Sequence, residues 1–129
     1  NIFNESLGTH IESFLSSDDD CKLFFKRVPD PRRYGVGYFK KKKLIQVEEK
    51  PEKPKTNFAC VGIYLYTNKV FKIIETTEKS ARGEYEISSV NNCIIESGKC
   101  SYAVLKDRWT DAGTMDSYHK ANSLIYEGR

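Results

Sequence analysis

The stretch Phe58-Ala59-Cys60-Val61-Gly62-Ile63-Tyr64-Leu65-Tyr66 constrains this chain more than any other. It is an almost unbroken apolar run rich in β-formers, the pattern of a strand covered on both faces. Such a strand needs layers above and below it, and a chain of 129 residues can supply them around one modest core.

The other periodicities supply those layers. Leu7, Ile11, Phe14 and Leu15 fall at helical spacing after Asn4 and Ser6, two cap candidates, and the pattern stops at Ser16-Ser17-Asp18-Asp19-Asp20. Cys21 to Val28 reads as a short strand ended by Pro29-Asp30-Pro31, because proline brings no backbone donor and restricts its predecessor. Tyr34 to Phe39 and Leu44 to Glu49 flank a lysine run and predict a hairpin, with Ile45, Val47 and Glu49 on one face.

Helical spacing returns at Val70, Ile73 and Ile74, and again at Ile87, Val90 and Ile94, where Gly98 supplies a stop. Tyr102 to Leu105 is a short strand, and Thr114 can cap a last helix carrying Met115, Tyr118, Ala121, Leu124 and Ile125. Strands alternating with helices predict an α/β layer architecture. A sheet built from this set would be thin, with one side missing its neighbours, which favours half of a larger domain. The chain also starts at Asn1 without an initiator methionine, as a fragment or a processed chain would.

Composition removes several function classes. Charged residues make up 30% and aromatics 12%, which suits a folded domain rather than a disordered one. No apolar run approaches the roughly 20 residues needed to cross a bilayer. The net charge of +3 is too small to imply a nucleic-acid partner, and its densest cluster, Lys40 to Lys43, falls where the hairpin turns. Cys21, Cys60, Cys93 and Cys100 lack the short paired spacing of a zinc site and read as reduced cytosolic thiols. The expected setting is therefore cytoplasmic, with neither membrane nor nucleic acid involved.

Three segments could carry chemistry. Glu49-Lys50-Pro51 closes a strand and presents an acceptor beside a cation, although the two can share a ligand only if the strand ends or twists there. Ser80-Ala81-Arg82-Gly83-Glu84 lies between two helical segments, where the Arg82 fork suits phosphate oxygens. Trp109-Thr110-Asp111-Ala112-Gly113-Thr114 follows a strand and precedes a helix, placing Asp111 at another strand end, where α/β sheets gather ligands. Alone, these segments read rather as an exposed ion pair, a surface arginine and a capped turn.

Missing motifs narrow the chemistry further. Gly35-Val36-Gly37 has Lys40 where a dinucleotide fingerprint has its third glycine, and no phosphate-loop pattern occurs. His10 and His119 have no ligand at metal spacing, and no serine nucleophile elbow is present.

Taken in order, Arg33-Tyr34-Gly35-Val36, Val47-Glu48-Glu49-Lys50-Pro51, Asn57 through Tyr66, Ser80 through Ile87 with Asn91 following, and Trp109 through Thr114 resemble the sugar nucleotidyltransferases. The match is closest to the short glucose-1-phosphate thymidylyltransferase kind. It covers essentially all of residues 1–129, as the C-terminal half of the family pattern. The resemblance implies part of a Rossmann-like domain with a mostly parallel mixed sheet and flanking helices. It also implies a reaction in which a sugar 1-phosphate attacks the α-phosphorus of a nucleoside triphosphate and releases pyrophosphate, with magnesium present.

Site roles follow from the same resemblance. Glu49 would accept hydrogen bonds from sugar hydroxyls, with Tyr34, Gly35, Cys60 and Tyr64 lining the sugar pocket. Lys50 and Arg82 would hold the sugar phosphate, Asp111 would ligate Mg2+, and Trp109 would support the site. Two departures touch the pocket: Cys60 stands where an aliphatic residue is usual, and Ser89 where an aspartate is common.

Partners implied are glucose 1-phosphate, dTTP in the intact enzyme, and further copies of the chain. The Gly-rich loop, the base-recognition residues and a second aspartate belong to the other half, so residues 1–129 alone are expected to be inactive. Uridylyl transfer to a sugar 1-phosphate is the alternative within the enzyme class. A non-catalytic sugar-phosphate-binding or assembly module is the alternative outside it.

Overall fold

A computed structural model describes residues 1–127. The chain runs β1 (Ile2–Phe3), α1 (Gly8–Leu15), β2 (Cys21–Arg27), β3 (Gly35–Lys40), β4 (Lys43–Glu49) and β5 (Phe58–Tyr66). It continues through α2 (Val70–Thr76), α3 (Ile87–Glu96), β6 (Cys100–Val104), β7 (Trp109–Thr110) and α4 (Met115–Glu127). Five strands form one sheet in the order β4-β3-β5-β2-β6, and β1 pairs with β7 in a small separate ribbon.

Every strand and helix read from the sequence is present, so the α/β class and the mixed sheet stand. The parallel share is smaller than expected, because only β2 and β6 run parallel. The pairs β2–β5, β3–β5 and β3–β4 are antiparallel. The order of the connections accounts for this. The short link between β3 and β4 suits antiparallel neighbours, while the long segment carrying α2 and α3 leads from β5 past β2 to its far side, where β6 runs antiparallel to β5 and so parallel to β2. The β1–β7 ribbon had no readable signal, since two-residue strands show no periodicity.

The deepest strand is β2 rather than β5. Cys21, Leu23, Phe24 and Phe25 have no exposed surface, whereas β5 is buried only at Ala59, Cys60 and Val61. Alternation along β2 sends Leu23 and Phe25 to one face, with Cys60, Val47, Ile94 and Ile95, and Phe24 to the other, with Val61 and Leu105. Each fully buried Phe contributes about 1.5–3 kcal/mol of transfer free energy.

The lysine run makes a tight turn. Lys40 pairs with Lys43 across the hairpin, and both intervening residues are left-handed, Lys41 at φ 47° and Lys42 at φ 63°. Two-residue hairpin loops of this hand match the twist of the strands and ordinarily use Asn-Gly. Exposed lysines adopt it here, and the charge faces water.

The start of α1 departs from the sequence reading. Leu7 occupies the cap position with no side-chain hydrogen bond, while Ser6 Oγ accepts only from Gly8 N at 3.3 Å. At α4 the expected cap is present: Thr114 Oγ1 accepts from Ser117 N at 3.2 Å and Ser117 Oγ accepts from Thr114 N at 2.9 Å. This reciprocal pair serves two backbone donors at the helix start.

Gly37 marks the closest approach in the core. A Cβ at this position would lie 2.5 Å from Phe25 Cε1, so the β3 backbone rests directly on that ring. Gly37→Ala is expected to cost about 1–3 kcal/mol through overpacking. Urea denaturation of both proteins checks this, and an unchanged midpoint would show that the ring can yield.

Candidate functional site

The first half of the site lies where β3, β4 and β5 end beside α3. Tyr34, Gly35, Val47, Glu49, Cys60 and Asn91 line a cavity of about 170 Å³, with Tyr64 also on its wall. Sheet register explains the meeting: Gly35 pairs with Glu49 on one side and Cys60 on the other. Gly35 keeps the cavity open. A Cβ here would meet Val47 Cγ1 at 3.0 Å, Glu49 Oε2 at 3.3 Å and Cys60 Cβ at 3.6 Å.

Lys50 answers the condition set by strand alternation. β4 ends at Glu49, and Lys50 follows at φ 44°, its N–H donating to Tyr34 O at 3.0 Å. The chain therefore turns out of the sheet between the two residues. Lys50 is exposed and does not line the small cavity.

Arg82 does not line that cavity either. It sits in a loop closed by Ser80 N donating to Glu84 O at 2.9 Å, with Gly83 at φ 77°. Its guanidinium bridges Glu84 at 3.4 Å and the buried Glu86 at 3.7 Å. Glu86 also accepts from Ser80 Oγ at 2.7 Å, so the carboxylate that anchors the loop also orients Arg82.

The second half of the site is a larger cleft of about 890 Å³, sharing Arg33 and Tyr34 with the small cavity and containing Trp109 and Asp111. Trp109 stacks edge-on against Tyr34, ring centroids 5.5 Å apart, and its Nε1 donates to Asn1 Oδ1 at 2.9 Å. Asn1 Nδ2 donates in turn to Gly62 O at 3.2 Å, tying β7 to β5. Lys26 Nζ donates to the carbonyls of Leu105, Lys106 and Asp107 at 3.2, 3.0 and 2.7 Å, which fixes the approach to β7.

Asp111 leaves β7 into a short loop in which Ala112, not Gly113, takes the left-handed conformation, at φ 53°. The Asp111 carboxylate folds over Gly113, where a Cβ would lie 3.1 Å from Oδ2, and it accepts from Arg33 Nη2 at 3.0 Å. Burial foremost, and then the negative charge of Asp111, raises the Tyr34 phenol above its ordinary range. Tyr34 therefore remains a neutral wall between the two spaces.

Of the residues expected from sequence, Tyr34, Gly35, Glu49, Cys60 and Tyr64 share the small cavity. Trp109 and Asp111 share the large cleft with Tyr34, while Lys50 and Arg82 stand outside both. Sequence reasoning gave no site role to Arg33 or Asn91. Arg33 meets an aspartate 78 positions away, which no local pattern signals. Asn91 carried a usable signal, because it falls with Ile87, Val90 and Ile94 on the apolar stripe of α3, a polar residue in a core position.

With this geometry established, the match to a sequence family is decisive: residues 1–128 fit the nucleotidyl transferase family. The chain belongs to that family. It is 40% identical over 129 residues to a glucose-1-phosphate thymidylyltransferase of Mycobacterium tuberculosis, covering 97% of this chain and 44% of that protein. It is 34% identical to the Neisseria gonorrhoeae enzyme of the same name, covering 97% of this chain and 45% of that protein. The chain thus spans about half the length of the curated relatives it matches.

A solved Bacillus anthracis structure, assigned as a glucose-1-phosphate thymidylyltransferase and complexed with sucrose, superposes with a TM-score of 0.87 at 40% identity. It covers 95% of this chain and 50% of that one. A UDP-glucose pyrophosphorylase complexed with UDP-glucose shares the fold, with a TM-score of 0.80 at 20% identity. It too covers 95% of this chain and 50% of that one.

Within the small cavity, the Cys60 thiol has a consequence for stability. Burial, and after it the Glu49 carboxylate, pushes the Cys60 thiol up from 9.0 to about 12. The unfolded thiol ionises as pH rises through 9.0 while the folded one keeps its proton. The unfolded state then binds fewer protons, and stability falls as pH rises. In urea denaturation between about pH 8 and about pH 10, Cys60→Val is expected to lose less stability than wild type. Identical losses would place the pH sensitivity elsewhere.

Proposed function

We propose that this chain supplies the sugar-phosphate side of a sugar-1-phosphate nucleotidyltransferase, forming dTDP-glucose and pyrophosphate from glucose 1-phosphate and dTTP. The observation that carries the reading is the small cavity in which Glu49 Oε2 lies over the side-chain-free Gly35, walled by Tyr34, Cys60 and Tyr64. A carboxylate there accepts hydrogen bonds from neutral hydroxyls and disfavours phosphate beside it, so the Glu49 side of the cavity suits a sugar ring, while Arg33 lines the side shared with the large cleft.

The phosphate would then lie outside the cavity, in reach of the exposed Lys50 and of the Arg82 fork. The Arg82 pairs with Glu84 and Glu86 leave other guanidinium donors free for an incoming anion. In the reaction, a phosphate oxygen of the sugar phosphate forms a bond to the α-phosphorus as the bond to pyrophosphate breaks. Positioning and charge neutralisation carry most of the catalysis.

Magnesium fits the larger cleft at Asp111, one of four aspartates that line it with Asp30, Asp107 and Asp116. Among the described residues no three His, Cys, Asp or Glu side chains converge as a metal cage. Magnesium commonly takes one or two carboxylates together with substrate phosphates and water, which a single Asp111 can begin. When bound it would neutralise phosphate charge, and Asp111 would exchange its Arg33 partner for the ion.

The dTTP side would come from residues beyond those of this chain, which has no glycine-rich phosphate loop. The 129-residue chain with glucose 1-phosphate, dTTP and magnesium is expected to release no pyrophosphate; robust synthesis would contradict this division. Uridylyl transfer remains the second reading, since nothing in the small cavity reads a base. A cytoplasmic setting accords with the reading, and no helix among the described residues is long and apolar enough to cross a membrane. Oligomer formation is part of the same proposal, with β6 as an open sheet edge.

In the full-length enzyme, Lys50→Ala and Arg82→Ala are each expected to raise KM for glucose 1-phosphate by roughly tenfold to a hundredfold, the scale of one charged hydrogen bond. KM for dTTP should change much less. Asp111→Asn should raise the magnesium concentration needed for half-maximal rate. Unchanged sugar-phosphate kinetics would remove Lys50 and Arg82 from the site, and a wild-type magnesium titration would remove Asp111.

A further inference from the structure

The polar residue in the core stripe of α3 is only half satisfied. Asn91 is 1% exposed, and its Oδ1 accepts from Tyr66 Oη at 2.5 Å, but its Nδ2 is buried without a partner. A buried, unpaired donor destabilises the fold, so one that persists needs an explanation. Its neighbour Asn92 shows what a structural asparagine does on this helix. Asn92 Oδ1 accepts from Val47 N at 2.8 Å and its Nδ2 donates to Val47 O at 2.8 Å, clamping α3 to β4. That clamp sets Asn91 into the wall of the cavity that Val47 and Glu49 also line.

Resting on the sugar-phosphate reading above, we propose that Asn91 Nδ2 donates a hydrogen bond to a hydroxyl oxygen of the bound sugar, making Asn91 a specificity residue opposite in role to Glu49. Glu49 can only accept, and the free atom of Asn91 can only donate. A sugar hydroxyl does both, so the two side chains together select a polyhydroxylated ring over a deoxygenated one. A phosphate is the poorer occupant, because it would sit against the Glu49 carboxylate. Tyr66 fixes the polarity of the amide: by donating to Oδ1 it leaves the NH2 group as the half without a partner, on a residue of the cavity wall.

The test is titration of wild type and Asn91→Leu with glucose 1-phosphate, its monodeoxy analogues and inorganic phosphate, read by calorimetry. The substitution is expected to weaken glucose 1-phosphate about fivefold to tenfold, the scale of one neutral hydrogen bond. It should leave inorganic phosphate unaffected, and its penalty should vanish for the one analogue lacking the hydroxyl that Asn91 contacts. An equal penalty for every analogue and for phosphate, or no penalty at all, would overturn the proposal. Wild type alone gives a second reading: the Asn91 side-chain amide resonances should move on saturation with glucose 1-phosphate, and unmoved resonances would also overturn it. If wild type binds no glucose 1-phosphate, the sugar-phosphate reading fails and takes this role with it. If wild type binds and Asn91→Leu binds equally, only the role of Asn91 fails.

Discussion

Everything in this molecule hangs from the burial of β2. With Leu23, Phe24 and Phe25 fully enclosed, the strand needs partners on both edges and cover on both faces. β5 and β6 supply the edges, one antiparallel and one parallel. β3 then hangs from β5, and β4 from β3, which carries Gly35 and Glu49 to one end of the sheet beside Cys60. The small cavity is thus a product of register. Because a slip of one residue would turn every side chain to the other face, the same apolar alternation that builds the core also keeps Glu49 over Gly35.

The two spaces at this end of the sheet differ in the charged groups that line them. The small cavity has one carboxylate, one unpaired amide donor, mostly neutral walls and the Arg33 side that it shares with the large cleft. The large cleft has the Arg33–Asp111 pair, with the arginine about half exposed. Exposed or partly exposed pairs of this kind are worth about 0–1 kcal/mol. Arg33, and likewise Arg82 with Glu84, can therefore give up a carboxylate to a more highly charged ligand at little cost. Tyr34 separates the two spaces as a neutral partition, its phenol held protonated by burial and by Asp111.

How much of this was legible in the sequence depended on the range of the interaction. Local periodicity located the helices and sheet strands, and the Thr114 cap was readable because it acts within one helical turn. Strand direction was less so, since a parallel or antiparallel choice depends on which strands meet. Gly35, Glu49, Cys60 and Tyr64 were readable through the order of segments that resemble a family, and register then brought them together. The Arg33–Asp111 pair and the hydrogen bond from Trp109 to Asn1 span the chain and left no local trace. Asn91 was visible as a polar residue at a core position, but its open donor emerges only once Tyr66 and Asn92 are seen to take the other groups.

This end of the sheet is proposed to hold a sugar phosphate and to leave the nucleoside triphosphate to residues elsewhere. Calorimetric titration of the 129-residue chain with glucose 1-phosphate and, separately, with dTTP tests it most directly. Saturable binding of glucose 1-phosphate, lost in Glu49→Ala, is expected, with no comparable binding of dTTP. Tight binding of dTTP with none of glucose 1-phosphate would contradict it.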